Sequence, residues 1–185
     1  MEETPTVNAR QVNFTVENCG RLFKKSKIRV SWVFSIGDQQ HTVVFFWSKK
    51  SGEQRVEVDE KEEWFGRRQD ASVFSHKWIT DEGDKLHILA SRTIPQGEPS
   101  DFRKYELLIN GQTFFSLPFQ NGNMPEALGD HSIVHILYPD GYEWDDEPYV
   151  ASKLPPSTAE EYKSNEHLRQ MVTARRIVRH DGSPR

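Results

Sequence analysis

Apolar residues recur at every second position through much of the first two thirds of this chain, the period of a strand with one face buried. Residues 27–36 (KIRVSWVFSI) put Ile28, Val30, Trp32, Phe34 and Ile36 on one side and Arg29, Ser31, Val33 and Ser35 on the other. Residues 11–17 (QVNFTVE) place Val12, Phe14 and Val16 on one face, as an edge strand would. The centre of the pattern is the stretch 40–62. There an apolar run from Thr42 to Trp47 leads through Ser51-Gly52 into the alternating Arg55-Val56-Glu57-Val58. The first run is apolar on both faces, which suits a strand covered on both sides; the pair predicts a hairpin. Residues 62–70 read as less regular, with 67–70 as loop. Residues 72–80 (SVFSHKWIT) and 85–91 (KLHILAS) are further strand candidates around the turn signal Asp81-Glu82-Gly83-Asp84. Residues 105–109 and 112–117 flank Asn110-Gly111, a dipeptide that supplies the positive φ of a two-residue hairpin turn.

About seven or eight short strands, with turn signals roughly every 8 to 12 residues, predict an all-β fold, an antiparallel β-sandwich or barrel, of which the sandwich is the expected one. No helical pattern before residue 157 is long enough for the crossovers of a parallel sheet. From Pro118 the chain becomes Pro- and Gly-rich. The expected plan is a disordered N-terminus at 1–10, the sandwich at 11–117, a linker or docking segment at 118–156, and a C-terminal helix and tail at 157–185. Within the third part, 131–138 (HSIVHILY) reads as one more strand or a docking segment. Ser157 with Glu160, and Thr158 with Glu161, form overlapping capping boxes for a helix over 158–178, with Leu168, Met171, Val172 and Arg175 at helical spacing.

Composition narrows the class. Apolar residues make up 35% and charged residues 28%, enough for one core. A net charge of −4 and a pI near 6.0 do not suit a general nucleic-acid binder. The single Cys19 allows no internal disulfide and fits a reducing compartment. No apolar run approaches the roughly 20 residues of a membrane span, and the first ten residues lack a signal-type apolar stretch. The expectation is a cytoplasmic protein that contacts neither membrane nor nucleic acid.

Chemical motifs are sparse. His131 and His135 are the closest histidine pair; on the strand that Ile133, Val134, Ile136 and Leu137 favour they would lie about 13 Å apart, too far to share an ion. Cys19 sits in a polar turn. No nucleophile elbow or Gly-rich phosphate loop is present. Carboxylate neighbours such as Asp59/Glu60, Glu62/Glu63 and Asp145/Asp146 fall at turns or in acidic runs. The cluster Lys24, Lys25 and Lys27 reads as a solvated face. No catalytic, cofactor or metal set is therefore expected. The distinctive patch is the acidic-aromatic run with Tyr142, Trp144, Asp145, Asp146 and Tyr149. It reads either as a loop laid back on the sandwich or as anchors for a protein partner, with Arg175 and Arg176 of the C-terminal helix as a complementary basic element.

The order of motifs across residues 40–117 resembles the Fas apoptotic inhibitory molecule family. The strand His41-Thr42-Val43-Val44-Phe45 and the run from Ser51-Gly52 to Val56-Glu57-Val58-Asp59-Glu60-Lys61-Glu62 are similar to that family's strand and S-G-x-x-V-x-V-D-G-K-E stretch. Tyr105-Glu106-Leu107-Leu108-Ile109-Asn110-Gly111-Gln112 is similar to its Y-x-L-x-I-N-G-K element. This chain has Glu60 where the family has Gly, and one such module where members often carry two. The resemblance implies a compact antiparallel β-sandwich without enzymatic activity that acts by binding proteins in a regulatory or adaptor role; an apoptotic role does not carry over with it. The alternative is a sandwich that binds a small molecule or carbohydrate, or a hydrolase built on one.

Overall fold

The computed structural model describes residues 8–21, 24–126 and 128–144. It is an antiparallel β-sandwich. A five-stranded sheet runs in the order β1 (Ala9–Asn18), β2 (Lys27–Ile36), β3 (Gln39–Ser48), β4 (Glu53–Val58) and β5 (Lys61–Arg67). A four-stranded sheet follows as β6 (Val73–Ile79), β7 (Lys85–Ser91), β8 (Tyr105–Ile109) and β9 (Gln112–Thr113). Each sheet is a simple meander, so every strand pairs with its neighbour in sequence.

The period-two pattern builds the core. Ile28, Val30, Trp32 and Phe34 of β2 and Val43, Phe45 and Trp47 of β3 turn one face inward, against Phe74 and Trp78 of β6, Leu86, Ile88 and Ala90 of β7, and Leu107 and Ile109 of β8. The Phe45 and Phe74 rings stack across the two sheets with centroids 4.5 Å apart. On the outer face of β3, no second sheet covers Phe46 among the described residues. The Arg55 guanidinium, 4.5 Å from its ring centroid, and the Lys27 ammonium cover it instead. The both-sides apolar run is thus roofed by cationic side chains.

Several elements differ from expectation. Strand β1 starts at Ala9, inside the stretch expected to be disordered, because Ala9 fills a core position opposite Ile36. A register shift at Val12 moves the inward parity to Ala9, Gln11 and Phe14 and leaves Val16 exposed. Residues 62–67, expected to be irregular or loop, belong to edge strand β5. Its Trp64 packs inward against Phe74, and a Cβ on Gly66 would run into the Trp64 indole. Residues 112–117 do not continue as a strand. After Thr113 the chain tightens into a 3-10 turn, Phe114–Ser116, which drops Phe114 into the core. Residues 131–138 form a short helix, α1 (Ile133–Leu137), rather than a strand. Ser132 caps it by accepting from the His135 N–H at 3.4 Å, and Ile133 and Leu137, four apart, share its buried face.

The described part of the 118–156 segment is laid against the sheets. The Gln11 N–H donates to the Pro118 carbonyl (2.9 Å) and the Gln120 N–H to the Gln11 carbonyl (2.9 Å), so residues 118–120 cover part of the β1 edge. The helix expected over 158–178 lies outside the described residues. No helix among the described residues is long and apolar enough to cross a membrane.

Candidate functional site

The outer face of the four-stranded sheet should be polar if it met water. Instead Val73, Leu89 and Leu108 project from it, and they need a cover. Phe102, the Ile133 and Leu137 side of α1, and Tyr138 supply one, making a second, smaller core. The backbone of Arg103 ties the cover down, since its N–H donates to the His131 carbonyl (2.9 Å) and its carbonyl accepts from the Ile133 N–H (3.1 Å).

Two fully buried polar side chains sit under this cover. His87 is held at both ring nitrogens, with the Ser75 hydroxyl 2.8 Å from Nε2 and the Tyr142 hydroxyl 3.0 Å from Nδ1. Burial holds its pKa well below the usual histidine value, with the Lys77 charge and then His76 adding to the effect. The imidazole is therefore neutral and works as a hydrogen-bonded spacer between sheet and cover. The second is Glu106, whose carboxylate accepts from Arg103 Nε (2.8 Å) and from Thr113 Oγ1 (2.7 Å). Burial raises its pKa, while those two hydrogen bonds and the Arg103 charge oppose the rise. Arg103 also donates to the Gly129 carbonyl at 3.0 Å, so this buried pair anchors the segment that follows the sandwich.

Tyr142 and Trp144 of the acidic-aromatic run fold back onto this face. Tyr142 meets Tyr138 edge-on at 4.9 Å, and the Lys77 ammonium lies 5.9 Å from the Tyr142 ring and 5.5 Å from the Trp144 ring. Lys85 reaches Trp144 at 5.6 Å. Asp145, Asp146, Tyr149, Arg175 and Arg176 lie outside the described residues.

Between this cover and the β1 edge runs a groove of two adjoining hollows, each of about 560 Å³. Phe115, Met124, Pro125, Glu126 and Leu128 line both. Phe119 closes one end, and Tyr138 and Tyr142 border the other. Phe119 is 40% exposed, Met124 68% and Leu128 42%, an unusual concentration of apolar surface in one place. Glu126 and Asp130 stand at its rim with no ion pair among the described residues, whereas Arg103 in its wall is already committed to Glu106. The composition of residues 118–130 is that of a linker. The available signal was three large apolar residues, Phe119, Met124 and Leu128, in an otherwise polar stretch.

The remaining candidates are structural or scattered. His131 precedes α1 and faces Glu98 at 3.3 Å, while His135 is exposed on the helix. Asp59 builds its own turn, accepting from the Thr42 N–H at 2.7 Å and meeting His41 Nδ1 at 3.0 Å. Cys19 is exposed. No cluster of three or more His, Cys, Asp or Glu among the described residues is placed to hold a metal ion. Comparison with protein-family models, with curated proteins and with solved structures finds no match to this chain.

Proposed function

We propose that the chain is a non-enzymatic, cytoplasmic protein-interaction module of the Fas apoptotic inhibitory molecule type, in a regulatory or adaptor role. Its binding site is the groove lined by Phe115, Phe119, Met124 and Leu128. The observation that carries this reading is the exposure of Phe119, Met124 and Leu128 beside half-buried Phe115 along one concave surface. Their walls are fixed by buried hydrogen bonds on one side and by the Gln11 contacts on the other. Such a surface suits an apolar segment of a partner, and the rim carboxylates Glu126 and Asp130 favour a segment with Lys or Arg beside its anchors.

The family reading draws support from the turn at Asp59 and Glu60. Both residues have positive φ, 48° and 67°, the two-residue hairpin geometry in which glycine is the natural occupant, and the family pattern has Gly at the second position.

Selection of a displayed random-peptide library against the full chain tests the proposal. Enriched peptides are expected to carry apolar anchors with basic flanks. They are expected to lose about tenfold or more in affinity when Phe119→Asp and Met124→Asp are combined. Equal binding to that variant overturns the assignment of the groove. Stronger binding by a peptide spanning residues 145–185 would make the occupant the chain's own C-terminal part instead of a partner.

A further inference from the structure

An antiparallel meander sends alternate connections to opposite ends of a sandwich, and here the two ends carry opposite charge. The turns β2–β3, β4–β5, β6–β7 and β8–β9 hold Asp38, Asp59, Glu60, Asp81, Glu82 and Asp84, and no Lys or Arg. The other end gathers the connections β1–β2, β3–β4, β5–β6 and β7–β8. Backbone contacts bind these four together. The Lys49 N–H donates to the Ser26 carbonyl at 2.7 Å, the Arg68 N–H to the Gly52 carbonyl at 2.7 Å, and the Arg92 N–H to the Ser72 carbonyl at 2.7 Å. The Arg92 guanidinium then donates to the carbonyls of both Lys49 and Gln69, pinning one sheet's loops to the other's.

On this platform stand Lys24, Lys25, Lys49, Lys50 and Lys104, none of which has an ion pair with a carboxylate among the described residues. Of the nearby acids, Glu53 is taken by Lys27 at 3.5 Å and Glu98 by His131 at 3.3 Å; Asp70 and Asp101 remain. Lys104 is half-buried over the Tyr105 ring, 5.5 Å from its centroid. Its pKa is lowered by burial and then by the charge of Lys49, which follows β3 of the other sheet. The short basic cluster in the sequence is one corner of a larger surface.

We propose that this end of the sandwich docks an acidic segment of a protein partner, with Lys49, Lys50 and Lys104 as the principal contacts and Lys24 and Lys25 extending the track. Lysine ammonium groups on flexible stems read diffuse negative charge and not one oxoanion in a fixed fork. The opposite end and the net charge of −4 repel a long polyanion, which favours a short acidic peptide over nucleic acid. This surface is separate from the apolar groove, and neither assignment depends on the other.

A fluorescein-labelled oligoglutamate peptide, followed by anisotropy against the full chain, tests it. Binding should weaken as salt rises and fall about tenfold in Lys49→Glu/Lys104→Glu. It should stay within about twofold in Arg10→Glu/Lys61→Glu, which makes the same change in net charge at the acidic end. Lys49→Glu/Lys50→Glu, at exposed positions, gives the same readout should the Lys104 change unfold the chain. Absence of binding to the unsubstituted protein, equal losses in the two charge-matched variants, or tighter binding of a single-stranded oligonucleotide than of oligoglutamate overturns the proposal.

Discussion

Replacing Tyr142 by Phe isolates the link between the sandwich and the cover on its second sheet. The change removes one hydroxyl and keeps the ring that meets Tyr138 edge-on at 4.9 Å. That hydroxyl is the partner of His87 Nδ1 at 3.0 Å, on a side chain with no exposed surface, so the ring nitrogen is left buried and unpaired. An unmade hydrogen bond of this kind costs about 1–3 kcal/mol. With a urea dependence of about 2 kcal/mol per molar, the unfolding midpoint should fall by roughly 0.5–1.5 M. The assay is urea unfolding at pH 7.5, followed by tryptophan fluorescence and by circular dichroism. A double-mutant cycle sharpens it: in a His87→Leu background there is no ring nitrogen to orphan, and Tyr142→Phe should cost almost nothing. If Tyr142→Phe leaves the midpoint unchanged, or costs the same in both backgrounds, the tyrosine does not hold the cover through His87.

Two buried ionisable groups should give opposite pH signatures. His87 resists protonation when folded and accepts it near the ordinary histidine pKa when unfolded, so the stability it contributes is present above about pH 6.5 and is lost as pH falls below it; urea midpoints from about pH 8 to 5 should show this loss in the unsubstituted chain and not in His87→Gln. Glu106 has the reverse sign, because its folded pKa is raised: its contribution is largest below the ordinary carboxylate pKa and declines as pH rises through the folded value, a decline that Glu106→Gln should abolish over about pH 4 to 7. Leu137→Ala removes a fully buried anchor of α1 and should destabilise the chain by about 2–5 kcal/mol, with hydrogen exchange speeding up in 131–142 before the five-stranded sheet responds. Glu60→Gly relieves a non-glycine residue at φ 67° and should raise stability by a few tenths to about 1 kcal/mol in thermal unfolding, whereas Gly52→Ala, at φ 68° with its missing Cβ directed at the Arg68 and Gln69 backbone, should lower it by more than that gain.

The sandwich was legible because its inner face is written locally. Ile28, Val30, Trp32 and Phe34 alternate within one strand, and Asn110-Gly111 names its own turn, with φ values of 48° and 87°. Strand β5 was hidden because an edge strand needs few inward apolar groups; Trp64 faces in, while Lys61, Glu62, Glu63 and Phe65 stay exposed. Helix α1 was ambiguous for a different reason. The run Ile-Val-His-Ile-Leu fits either period, and what decides is remote: Leu89 and Leu108 project from the outer face of another sheet and need the Ile133 and Leu137 pair above them. The docking of Tyr142 likewise depends on His87 pointing outward from β7, fifty-five residues away in sequence. The groove is assembled from β1, the turn after β9, residues 119–126 with Leu128, and α1, so no local pattern could announce it.

Methyl- and aromatic-detected NMR titration of the full chain with a library-selected peptide tests whether the Phe115–Phe119–Met124–Leu128 groove is a protein-binding site. Binding in the groove should shift the Met124 and Leu128 methyls and the Phe115 and Phe119 rings, with Ile79 on β6 and Val16 on β1 unmoved. Shifts centred on those distant exposed residues, with Met124 and Leu128 unmoved at saturation, would contradict it.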